Sequence, residues 1–140
     1  MKELTLSAVD SNLDEVVDFI NEILEKNNCT TYAMYELDIA VEELFVNIAH
    51  YAYVPEIGEV TIQASVENGY ITIVFIDSGI PYNPWARKDP DTTLSLKARK
   101  VGGLGVYMVK NSMDKVDYAY VDGKNVVTIR KCIVNTKDAN

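Results

Sequence analysis

The spacing of apolar residues divides the chain into stretches of strand and helix period. Between Glu3 and Ala8, Leu4, Leu6 and Ala8 alternate with polar residues, as in a half-buried strand. Leu13, Val16, Val17, Ile20, Ile23 and Leu24 then share one stripe of an amphipathic helix ending near Asn27-Asn28. Ser11 with Asp14 resembles a capping box at its start. A second, longer helix is predicted from about Tyr32 to Tyr53, with a core stripe of Leu37, Val41, Leu44, Ile48 and Ala52. Val54-Pro55 ends it, because the residue before a proline is pushed out of the helical region.

Two hairpins follow the strand period. Val60, Ile62, Ala64 and Val66 alternate with polar residues, and Asn68-Gly69 then turns the chain into the apolar run Tyr70–Ile76. Val116–Val121 meets Asn125–Val134 across Asp122-Gly123, another favoured hairpin dipeptide. Between the hairpins lie a glycine-rich loop and a short helix from about Gly103 to Ser112. The order β-α-α-β-β-loop-α-β-β predicts an α/β (α+β) two-layer sandwich, a mixed, mostly antiparallel sheet with three helices on one face.

A length of 140 residues suits one domain, spanning 1–140. No apolar run approaches the roughly 20 residues that a membrane span requires, so no membrane association is expected. The start, Met1-Lys2-Glu3-Leu4, lacks the long apolar stretch of a secretory signal, and a cytoplasmic location follows. Cys29 and Cys132 have no metal-ligand spacing and read as reduced thiols. A net charge of −8 argues against direct contact with nucleic acid, whose phosphates attract basic faces. The charge is uneven, however. Arg87, Lys88, Lys97, Arg99 and Lys100 crowd between Trp85 and Val101 against only Asp89 and Asp91. A basic segment on an acidic chain fits a local anionic ligand as well as a solvated loop.

Three short patterns carry candidate chemistry. Glu43 and Asn47, one helical turn apart, project from the same side of the second helix, whereas Glu42 points about 140° away from Asn47. An amide oxygen can ligate Mg2+, and a carboxylate can take a proton from an attacking hydroxyl. Asp77-Ser78-Gly79-Ile80-Pro81 leaves the end of an apolar strand and holds a carboxylate at the rim of the sheet, able to accept from an amine. Gly102-Gly103-Leu104-Gly105 opens the third helix, where glycines admit a phosphate to free N–H groups. No Gly-Lys-Ser/Thr follows, so this is not a P-loop, and the spacing is not that of the dinucleotide fingerprint. By itself each pattern reads as an ordinary helix flank, turn or glycine run.

In this order and at these positions the three together resemble the N, G1 and G2 boxes of the GHKL (Bergerat-fold) ATP-binding superfamily, over essentially the whole chain. The basic segment, about 85–101, falls where that superfamily has its ATP lid. Within it the chain is most similar to the anti-sigma-factor serine/threonine kinases. The stretches around Asn47 (Tyr51-Ala52-Tyr53), Asp77 (through Tyr82-Asn83-Pro84) and Gly105 (Val106-Tyr107-Met108-Val109) carry that likeness. The resemblance implies ATP and Mg2+ as cofactors, Glu43 as general base, Asn47 as Mg2+ ligand and Asp77 as reader of adenine. It also implies that Gly79, Ile80, Gly102, Gly103, Leu104 and Gly105 form the nucleotide pocket, with Arg99 or Lys100 near the phosphates. Implied partners are a sigma factor and an antagonist protein substrate, and the implied assembly is a homodimer.

The chain departs from the family pattern at two points. Tyr51 stands where many relatives have histidine, and His50, the chain's only histidine, sits one place earlier and is left out of the site. Lys124-Asn125 replaces the Gly-Thr that often precedes the last strand. The implied function is a protein kinase that acts as a binding switch. The alternative is a nucleotide-dependent regulator that binds a partner without phosphorylating it. The ATP-binding half of a sensor histidine kinase would need a phosphoacceptor histidine, and none lies outside the first box.

Overall fold

The computed structural model describes residues 1–86 and 103–135. Its elements run β1 (Lys2–Ser7), α1 (Leu13–Lys26), α2 (Thr31–Asn47), β2 (Glu59–Glu67), β3 (Tyr70–Asp77), α3 (Gly103–Ser112), β4 (Lys115–Val121) and β5 (Lys124–Cys132). The five strands form one sheet in the order β1-β2-β3-β5-β4. Every pairing among the described strands is antiparallel, so the expected two-layer sandwich of sheet and helices is built on an antiparallel sheet.

Both hairpins turn as their dipeptides predict. Asn68 and Gly69 have φ of 53° and 81°, and Asp122 and Gly123 have 53° and 78°. Two successive positive φ values match the right-handed twist of the flanking strands. Burial then follows strand parity. Val60, Ile62 and Ala64 on β2, Ile71, Ile73 and Phe75 on β3, and Val127 and Ile129 on β5 are buried, while the residues between them are at least partly exposed. One face of the sheet is therefore covered. Val16, Ile20 and Leu24 of α1, Leu37, Val41 and Leu44 of α2, and Val109 of α3 join it in one core.

Two local features differ from expectation. Ser11 lies in a 3₁₀ turn (Asp10–Asn12), one position too early to cap α1, and the N-cap residue Asn12 instead donates from Nδ2 to the Ser7 carbonyl at 2.8 Å. The long second helix ends at Asn47 and runs on directly as a π-helical turn, Ile48–Ala52. Periodicity hides that change, because Ile48 remains on the buried stripe. Carbonyls in the last turn of a helix have no helical partner, and that of Ala52 accepts from the Ile80 N–H at 3.0 Å. The end of α2 is thereby tied to the loop after β3.

The same parity that builds the core positions the site. Asp77 continues the buried register of Ile71, Ile73 and Phe75, and Asn125 continues that of Val127 and Ile129. The two are register partners at one end of the β3–β5 ladder. Polar side chains thus replace aliphatic ones where the inner face of the sheet opens out.

Candidate functional site

A cavity of about 440 Å³ opens at that end, within the size range of small-molecule sites. Leu44, Asn47 and Ile48 form one wall, with Tyr51 and Ala52 from the π turn beside them. Phe75, Asp77 and Val127 form the floor on the sheet, and Ile80, Tyr82 and Pro84 the rim. The walls are largely apolar. Asn47 and Asp77 supply polar groups at different points of the lining, and no described residue takes up the Asn47 amide.

Asp77 is almost fully buried, and a buried carboxylate needs donors. Its Oδ1 accepts from Gly79 N at 2.9 Å and from Asn125 Nδ2 at 3.0 Å. The loop that follows is held from the other side by Tyr53. Its hydroxyl donates to the Glu59 carbonyl at 2.6 Å and accepts from Ser78 N at 2.8 Å. Burial pushes the Tyr53 hydroxyl above its ordinary pKa, partly offset by the bond from Ser78. Gly79 lies so close to the Ala52 carbonyl that a Cβ would overlap it, which explains a glycine at this point of the loop.

Helical phase separates the two glutamates of α2. Glu42 is exposed, whereas Glu43 is half-buried and its carboxylate lies against Gly105 in the first turns of α3. A Cβ at position 105 would overlap that carboxylate. Gly103 begins α3 and Leu104 follows it. Gly102, Arg99, Lys100 and the rest of the basic segment up to residue 101 lie outside the described residues from residue 87 on. Trp85, at its start, donates from Nε1 to the Asp117 carbonyl at 2.9 Å. His50 is absent from the cavity lining, and its Nε2 lies 2.8 Å from each carboxylate oxygen of Asp10.

Chemically the site offers a fixed carboxylate acceptor at the end of an apolar slot and an amide oxygen on the same cavity. A second carboxylate stands beside the glycine-rich start of a helix. A single amide oxygen suits Mg2+, which takes most of its ligands from substrate phosphates and water. Among the described residues no cluster of three His, Cys, Asp or Glu side chains forms a cage for a metal.

Comparison with known proteins agrees with this arrangement. The family described as "Histidine kinase-like ATPase domain" matches residues 6–131, from β1 into β5. The chain belongs to that family. Curated relatives named "Serine-protein kinase RsbW" are similar to it at low identity. That of Bacillus mycoides (strain KBAB4) is 26% identical over 98 residues, covering 67% of this chain and 61% of the relative. That of Listeria monocytogenes serovar 1/2a (strain ATCC BAA-679 / EGD-e) is 28% identical over 100 residues, covering 68% and 64%. The chain thus spans less than two thirds of the length of these relatives.

Asn125 and Tyr53 lie outside the three boxes yet hold the loop after β3 in place. Asn125 is 3% exposed and uses every hydrogen-bonding position of its amide. Its signal in the sequence is parity: counted back from Ile129 and Val127, an asparagine falls on the buried face of a strand. Among the described residues no helix is long and apolar enough to cross a membrane.

Proposed function

We propose that this chain binds ATP with Mg2+ in the 440 Å³ cavity and transfers the γ-phosphoryl group to a serine or threonine of a protein partner. The observation that carries the reading is the convergence of Asn47 and Asp77 on one apolar cavity, with Glu43 beside the start of α3. Asp77 accepts from the exocyclic amine of adenine, and the apolar walls take the base. Asn47 contributes its amide oxygen to Mg2+, which neutralises phosphate charge. The partner's hydroxyl oxygen attacks the γ-phosphorus, the bond to the β–γ bridging oxygen breaks, ADP leaves, and Glu43 takes the hydroxyl proton.

The glycines of α3 and the preceding Gly102 bring free N–H groups to the phosphates, with Arg99 or Lys100 from a lid at about 85–101. The basic charge of that segment supports its assignment. The likeness to serine-protein kinases supports a protein substrate. In this reading the chain is a cytoplasmic single-domain anti-sigma-factor kinase. It is homodimeric, holds a sigma factor and phosphorylates its antagonist.

Calorimetric titration with ATP and Mg2+ tests the binding half. Wild-type protein binds in the micromolar range. Asp77→Asn, which replaces an acceptor by a group that is half donor, loses about 1–3 kcal/mol. Unchanged affinity in Asp77→Asn removes the adenine assignment.

A further inference from the structure

We infer that Asn125 is the positioning residue that sets nucleobase selectivity, by fixing which oxygen of Asp77 faces the ligand. This rests on the nucleotide reading above and goes beyond it. The Asn125 amide is bonded at both its oxygen and its nitrogen. Its Oδ1 accepts from Tyr82 N at 3.0 Å and from the Tyr118 hydroxyl at 2.5 Å. Its Nδ2 donates to the Ile80 carbonyl at 2.8 Å and to Asp77 Oδ1 at 3.0 Å. A backbone N–H can only donate and a carbonyl can only accept, so one orientation of the amide satisfies all four contacts. Tyr82 N and Ile80 O determine it, and Tyr118 supports it from β4.

The consequence falls on Asp77. Oδ1 receives Gly79 N and Asn125 Nδ2, which use the donors that its two lone-pair directions accommodate. Oδ2 is bonded by no described residue and is the oxygen left to accept from a base. The amide of Asn125 has no further N–H to offer, although Asn125 lines the cavity. At this wall the site therefore presents one fixed acceptor and no side-chain donor from Asn125. An exocyclic amine, as in adenine, satisfies it. A carbonyl oxygen in the same place, as in guanine, is repelled. Without Asn125 the carboxylate is free to rotate, so its acceptor is no longer held where the adenine amine lies and can turn instead towards the N1–H and exocyclic amine that guanine offers.

The test measures affinity for ATP and for GTP, each with Mg2+, in wild type, Asn125→Leu, Tyr118→Phe and the Asn125→Leu/Asp77→Asn double variant. Urea unfolding of each variant checks that the fold is kept. Wild type should favour ATP by 10-fold or more, on the order of one hydrogen bond to a charged group. Asn125→Leu should bring the ATP/GTP ratio close to one, chiefly through weaker ATP binding. Tyr118→Phe leaves Asn125 in place and should lower the ratio by a smaller factor. Asp77→Asn should cost ATP binding less in the Asn125→Leu background than in wild type, because the first change already frees the acceptor that the second removes. Equal weakening of ATP and GTP, with the ratio kept, would show a merely structural asparagine and overturn the inference while leaving ATP binding intact. Wild-type protein that bound neither nucleotide would overturn the nucleotide reading and this inference with it.

Discussion

The carboxylate of Glu43 occupies the space that a side chain at Gly105 would need. Two of the three sequence patterns therefore meet as a physical contact, and glycine at 105 is what lets α3 close on the end of α2. Because the overlapping atoms are the far end of a flexible side chain, an added methyl displaces the carboxylate rather than the backbone. Gly105→Ala should accordingly fold normally, and alanine inside a helix is favoured over glycine by roughly 1 kcal/mol. Phosphoryl transfer should fall by about 10²-fold, the usual cost of shifting a reacting group by an ångström. A melting curve and a turnover assay on the same preparation check this, and loss of fold with loss of turnover would contradict it.

Asn47 and Asp77 line the same cavity with different proposed partners. Asn47→Ala should weaken ATP binding when Mg2+ is present and leave metal-free ATP binding, measured with a chelator, nearly unchanged. Asp77→Asn should weaken both. Titrations with and without Mg2+ separate the two roles, and equal loss under both conditions in Asn47→Ala would remove the metal assignment.

Away from the site, Asp38 of α2 lies against Asn21 of α1. Burial pushes the Asp38 carboxyl above its ordinary pKa, partly offset by a hydrogen bond with Asn21. Asn21 Oδ1 is buried without a partner among the described residues. A folded-state pKa above the unfolded value means stability that is present below about pH 4 and lost as pH rises through the raised value. Asp38→Asn, which carries no charge at either pH, avoids that loss. The variant should melt near the wild type at pH 3 and above it at pH 7. Thermal melts at the two pH values decide it, and a variant less stable at pH 7 would contradict the account.

Much of this architecture is legible in the chain because local rules and tertiary packing agree. The dipeptides Asn68-Gly69 and Asp122-Gly123 adopt the positive φ values that their hairpins require, and the helix stripes become the core. Helical phase likewise separates Glu43 from Glu42. The capping box at Ser11 gave way because capping depends on where the first turn starts, and a 3₁₀ turn moves that start to Leu13. The π turn at Ile48–Ala52 is silent in the periodicity because it changes hydrogen bonding without moving Ile48 off the buried stripe. Asn125 is the instructive case. Set against the family pattern it is only a departure, whereas strand parity puts it on the buried face beside Asp77.

The central claim, phosphoryl transfer from this cavity, is tested most directly with γ-labelled ATP and extract of the protein's own cells. The purified wild-type, Glu43→Gln and Glu42→Gln proteins are compared. Wild type should transfer label to a small protein. Glu43→Gln should bind Mg2+ and ATP nearly as well yet transfer about 10²–10⁴ times more slowly. Glu42→Gln, changed at an exposed residue, should match the wild type. Absence of labelled protein with wild type would contradict the kinase account and leave a nucleotide-gated binding module. Full transfer by Glu43→Gln with loss in Glu42→Gln would contradict the assignment of the base.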